Sequence, residues 1–190
     1  MKIKGLYLCA AVLLLTGCSA KPTEDAATES DEMLVVTPDE DFDKNYAEAI
    51  KTYFEALENK DFESYKSIAY QPYQEAFDAF LSDNDSNLEK AFQEVCTEFD
   101  EDGYESWKLT ELNVKYCEKE DVDNFFSTYE QAGIFDEDFS DAARKDAKEI
   151  RDIEFTLYAL YSGDEEATPV VQSSEMMVIH AQDDKYYVFA

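Results

Sequence analysis

The order of its patterns predicts that this chain folds as an α+β domain, with N-terminal helices packed on one face of a curved antiparallel sheet. Two observations carry the expectation. From Tyr46 to Phe99 apolar residues recur every three or four positions, whereas from Trp107 to Phe189 they mostly alternate. A third bounds it: 13 Phe and 13 Tyr among 190 residues are enough for a real core, even beside 45 acidic and 16 basic side chains. The resulting net charge of −29 describes a solvated surface whose field repels nucleic acid and anionic headgroups.

The chain opens with Lys2 and Lys4, an apolar run from Leu6 to Leu15, and the small residues Thr16 and Gly17 before Cys18. This is the anatomy of a secretory signal. A spanning helix needs about 20 apolar residues, and here polar sequence follows at once. Leu15-Thr16-Gly17-Cys18 resembles the lipobox of bacterial lipoproteins. The resemblance implies cleavage before Cys18 and a diacylglyceryl group on its thiol. It also implies attachment to the extracytoplasmic face of the bacterial membrane, where two acyl chains hold stably and one is marginal. Residues 1–17 are then a signal peptide, with Cys9 inside it, and residues 18–41 a lipid-anchored acidic tether. Ser19 to Asp41 is rich in Ser, Ala, Thr, Pro and like charges, too polar to offset chain entropy. Its apolar stretch, Leu34 to Val36, leaves an edge strand open. Pro38 and the acids after it set the domain boundary near residue 42.

Over residues 42–190 the elements follow in order. Tyr46, Ala49, Ile50, Tyr53, Phe54 and Leu57 make one helical stripe, with Asp43 as a cap. Asn59-Lys60-Asp61 ends that helix and caps a short second one carrying Phe62, Tyr65 and Ile68. Pro72 suits the first turn of a third helix, with Tyr73, Phe77, Phe80 and Leu81. After the Ser82–Ser86 turn, Leu88, Phe92, Val95, Cys96 and Phe99 line a fourth. Asp102-Gly103 marks a turn into a strand with Trp107 and Leu109 on one parity and Leu112, Val114 and Tyr116 on the other; the slip at Glu111 predicts a bulge. Asp121 to Ala132 predicts an excursion helix with Val122, Phe125, Phe126 and Tyr129 inward, ending at Gly133. The acidic Asp136 to Asp152 reads as loop and helix. Strands are then expected from Ile153 to Tyr161, from Ser174 to Ala181 and from Lys185 to Phe189, with turns at Gly163-Asp164 and Asp183-Asp184.

The opening Tyr53-Phe54-Glu55-Ala56-Leu57-Glu58-Asn59-Lys60-Asp61-Phe62-Glu63-Ser64-Tyr65 resembles the first helix and turn of nuclear transport factor 2-like, cone-shaped domains. The closing Asp183-Asp184-Lys185-Tyr186-Tyr187-Val188-Phe189 is similar to their last hairpin. The resemblance implies a cone with a pocket closed by the first helix. The Asp121–Asp152 insertion departs from the compact form, and a cystatin-like fold is the alternative.

Few residues offer chemistry. Cys96 and Cys117 form an even pair in an oxidising compartment, and a disulfide between them would contribute roughly 3 kcal/mol. The opposing reading is two separate thiols, since Cys96 lies on an apolar helix face and Cys117 has opposite parity to Tyr116. His180 is the sole histidine, so a zinc site with two or more His or Cys ligands is not readily supplied. Asp83, Asp85, Asn87 and Glu94 fall at the first, third, fifth and twelfth positions of a calcium loop. Leu88 stands where that loop needs Gly, and an N-capping turn explains the same residues. Tyr53, Trp107, Tyr158 and His180 are the candidates to line a pocket for an apolar ligand with one or two hydrogen-bonding groups. No glycine-rich phosphate loop, nucleophile elbow or placeable carboxylate pair occurs, and no cofactor is implied.

These residues weigh toward a non-catalytic envelope module that binds a small apolar ligand or an envelope partner. The alternative is an isomerase or lyase with a base, a carboxylate or His180, in the cone pocket. A structural part of an envelope complex would present an apolar patch instead.

Overall fold

The computed structural model describes residues 33–37, 41–100, 106–117 and 121–190. The signal peptide, Cys18, most of the tether and the Asp102-Gly103 turn lie outside them. Among the described residues the order is β1 (Leu34–Val36), α1 (Lys44–Glu58), α2 (Phe62–Ile68), α3 (Gln71–Ser82), α4 (Leu88–Glu98), β2 (Trp107–Tyr116), α5 (Val122–Gln131), α6 (Phe139–Asp146), β3 (Ala147–Tyr161), β4 (Thr168–Ala181) and β5 (Tyr186–Val188). The domain is α+β, and no described helix is long and apolar enough to cross a membrane.

The helices start where short polar side chains satisfy free backbone amides. Asp43 accepts from the Asn45 amide, Asp61 from those of Glu63 and Ser64, and Asn87 from that of Lys90. Pro72 stands in the first turn of α3, where a missing amide costs nothing. Gly133, with φ of 76°, takes the left-handed conformation that ends the α5 segment.

The five strands form one sheet in the order β1-β2-β3-β4-β5. Leu34–Val36 does pair: it runs parallel to β2, with Val35 opposite Leu112, and Met33 before it is 5% exposed. The folded part therefore reaches at least to Met33, on the tether side of the expected boundary at residue 42. The sheet is mixed and not wholly antiparallel. A parallel neighbour requires a long crossover, and α1 to α4 supply it between β1 and β2. The other three strand pairs are antiparallel. The expected slip in β2 is a register shift between Leu109 and Glu111. β3 begins at Ala147, six residues before the expected Ile153, and β4 at Thr168 instead of Ser174. Both early halves are interrupted by further register shifts, which blur the alternation that marks a strand in the sequence.

Both faces of this sheet are covered. On the first, α1 and α2 bring Ile50, Phe54, Leu57 and Tyr65 against Leu112, Ile153, Phe155, Leu157 and Val178. On the second, Phe126 and Tyr129 of α5, Phe135 and Ala143 pack with Met177 and Ile179. Successive strand residues point to opposite faces, so Val178 serves one core while Met177 and Ile179 serve the other. The expectation of helices on one face is corrected by the insertion, whose α5 and α6 bury what would otherwise be a second apolar surface. α1 is further held by hydrogen bonds from Tyr46 Oη to Glu149 (2.8 Å) and from Tyr186 Oη to Asp43 (2.6 Å).

Ile50 is fully buried under α1, whereas Glu48 on the same helix is exposed. Replacing Ile50 by Ala is expected to cost about 2–5 kcal/mol in urea unfolding, and Glu48→Ala less than about 0.5 kcal/mol. Equal effects would mean that α1 is not seated on the sheet.

Candidate functional site

The second face carries one residue that its neighbours do not explain. Along β3 and β4 the paired positions on this face are Ile150 with Ile179, Asp152 with Met177, and Glu154 with Glu175. Glu154 is met by Lys115 at 3.0 Å. Asp152 has no such partner: it is 0% exposed, and neither carboxylate oxygen has a hydrogen-bond partner.

Each of three adjacent strands contributes a group to this place. Cys117, at the end of β2, donates its backbone amide to the Asp152 carbonyl at 3.1 Å, which carries the ladder one residue further and turns its thiol to the Asp152 side. Glu175 lies diagonally across β4. One thiol sulfur and one oxygen from each carboxylate come within 4.8 Å of one another.

Burial, and after it the charge of Glu175, pushes the Asp152 carboxyl up to about 6; the nearby Cys117 thiol and Asp121 backbone act in the opposite direction, and the Asp121 charge adds to the rise. Burial likewise pushes the Cys117 thiol well above its ordinary value, with Asp152 and Glu175 adding to it. The arrangement favours neutral groups or a shared cation over three separate anions.

Above these groups opens a cleft of about 470 Å³ between α5 and β4. Phe125, Tyr129, Met177 and Phe189 give it apolar surface; Asp121, Asp152 and Glu175 are on its lining, with Asn124, Thr128 and Ser174.

The residues expected to share a pocket are dispersed. Tyr53 is inside the first core between α1 and α2, its ring against Phe54 and Tyr65. Trp107 is at the opposite end of the sheet from His180, stacked on Phe99 and donating Nε1–H to Asp100 at 3.0 Å. Tyr158 has the opposite parity to Leu157 and Ala159, which belong to the first core. His180 stacks on Tyr186 with ring centres 4.3 Å apart and lies 3.6 Å from Asp184. It is tied into the closing hairpin and is not among the residues that line the cleft.

Of the two readings of Cys96 and Cys117, the structure has the separate thiols. Both cysteines are free and buried, Cys96 within the first core and Cys117 on the other face of the sheet. Nor do the calcium-loop residues converge. Asp83 caps α3, Asn87 caps α4, and Glu94 lies about 9 Å along the α4 axis from its start. Among the described residues, three ligating side chains of His, Cys, Asp or Glu converge only at Cys117, Asp152 and Glu175.

Sequence reasoning missed this trio because Cys117 was weighed only against Cys96, and Asp152 and Glu175 were ordinary acids on their own strands. The available signal was Asp152, a charge at a position whose parity matches Ile150 once β3 is begun at Ala147. Compared with known protein families, with curated proteins and with solved structures, the chain gives no match.

A carboxyl raised in the folded state binds its proton more tightly there than in the unfolded chain. Its stabilising contribution is present below about pH 4 and is lost as pH rises through 6, by roughly 3 kcal/mol for a shift of this size. Asp152→Asn is therefore expected to match the wild-type chain in stability near pH 4 and to exceed it by about 1–3 kcal/mol at pH 8, read from urea midpoints. A difference independent of pH would show that the carboxyl titrates normally.

Proposed function

We propose that the chain is a lipid-anchored module of the bacterial cell envelope, held on the extracytoplasmic face through Cys18, that binds a small ligand in the α5–β4 cleft. The Leu15–Cys18 pattern and the acidic tether support the anchored part. The ligand part is carried by the cleft itself, which combines apolar side chains with the carboxylates of Asp121, Asp152 and Glu175. Its 470 Å³ falls within the roughly 300–1,000 Å³ usual for small-molecule sites. An apolar body fits against Phe125, Met177 and Phe189, and a polar head reaches toward Asp152 and Glu175. Met177 makes such a wall adaptable in shape.

One observation favours the isomerase or lyase reading as well. Asp152, poised to exchange a proton near pH 6 beside a cleft, has the properties of a general base or acid. In that reading Asp152, and not His180, carries the proton.

Two measurements test the proposal. Thr128 is exposed on the cleft wall, so Thr128→Trp fills the cleft while leaving both cores untouched. Native mass spectrometry of the full chain purified from membranes should show a retained small molecule that Thr128→Trp lacks, at unchanged stability. The same adduct on both proteins would place binding elsewhere. Cys18→Ala should abolish fatty-acid labelling of the chain; labelling that persists would refute the anchor.

A further inference from the structure

We infer that Cys117, Asp152 and Glu175 form a site for one divalent transition-metal ion of the zinc class, with a remaining coordination position facing the α5–β4 cleft. This goes beyond the binding reading above and does not rest on it, because the ion needs no second ligand.

The first support is geometric. β2, β3 and β4 each present one donor on the same face, and the three donor atoms lie within 4.8 Å of one another. Zinc binds sulfur at about 2.3 Å and carboxylate oxygen at about 2.0–2.2 Å, which sets tetrahedral ligands about 3.5 Å apart. Closing the trio onto an ion takes a shift of roughly 1 Å, within the reach of side-chain rotation at the exposed Glu175.

The second support is independent of the clustering. Asp152 is completely buried, with both carboxylate oxygens lacking hydrogen-bond partners. A buried carboxylate without a partner is costly, and native structures pair such groups with a donor, a counter-charge or a metal. The described cations on neighbouring strands are engaged elsewhere: Lys115 with Glu154, and Arg151 with Glu149 and the Tyr116 ring. A divalent ion supplies the counter-charge and at the same time turns the Cys117 thiol into a thiolate ligand, reversing the local preference for protonated groups.

The donor set selects the class of metal. Magnesium and calcium take six or more oxygen ligands, and a sulfur donor in a three-residue site suits neither. One thiolate, two carboxylates and an open position suit a four-coordinate zinc-like ion. Glu175 lies on the lining of the cleft, so the fourth position faces water or the head of whatever occupies it.

The test uses the purified full chain and cobalt(II), whose bond to a thiolate gives a near-ultraviolet charge-transfer absorption. The expected result is one equivalent of cobalt with that absorption, displaced by one equivalent of zinc. Cys117→Ser should abolish the band, Asp152→Asn should weaken binding at least tenfold, and Cys96→Ser should change neither. Zinc should raise the melting temperature of the wild-type chain and of Cys96→Ser but not of Asp152→Asn, while magnesium at equal concentration should not. Absence of the band, its persistence in Cys117→Ser, or unchanged affinity in Asp152→Asn would overturn the site. Equal responses to magnesium and zinc would reduce it to general attraction by an acidic surface.

Discussion

The structure depends on one ladder. β3 and β4, paired from Ala147–Ala181 to Ala159–Thr168, are the longest of the described strands, and both carry residues for both cores. Ile153, Phe155, Leu157 and Ala159 hold the helical layer of α1 and α2, while Ile150 with its partner Ile179, and Met177 two residues along, hold the insertion. The two layers are joined through alternate side chains of the same backbone. A one-residue slip in this ladder would exchange them and expose both. The pairing register therefore fixes the position of every other element.

That constraint explains what could be read in the sequence and what could not. α1 faces one core, so its apolar stripe is clean and its extent legible; the same holds for α5, whose Phe126 and Tyr129 meet only the second core. β3 serves two cores and is broken by register shifts, so neither a continuous run nor an even alternation announces its first half. β1 is three residues long, with Leu34 and Val36 more than a third exposed, and owes its place to β2 far along the chain. No local pattern predicts a parallel edge strand of that length. The helical insertion was legible as an insertion, but its role as cover for the second face follows only from the pairing.

The candidate site was illegible for the same reason. Cys117 ends a strand, Asp152 closes an acidic stretch that reads as loop and helix, and Glu175 is one exposed acid among many. Register alone brings them together: Tyr116 opposite Ile153 carries Cys117 beside Asp152, and Glu154 opposite Glu175 brings the second carboxylate alongside. Motif spacing detects ligands along one helix or loop. A site made of single residues from three strands has no spacing to detect, and its one local mark is a charge at a buried parity.

The position of the cleft follows from how the first face is filled. In a cone whose first helix closed over a hollow, the inward aromatics of that helix would line a pocket. Here Tyr46, Ile50, Tyr53, Phe54 and Leu57 are all nearly inaccessible and make the core themselves. Tyr46 and Tyr53 are further packed against Tyr186 and Tyr65. Close packing of this kind leaves little room for a ligand on the α1 side. On the second face α5 and α6 are short, cover the sheet incompletely, and leave β4 uncovered near Gln172 to Glu175. The cleft exists there because an eight-residue and a ten-residue helix cannot span a sheet that the fifteen-residue α1 spans on the other side. Asp152 lies where that cover stops, deep enough to lose water and near enough to the opening to meet a ligand or an ion.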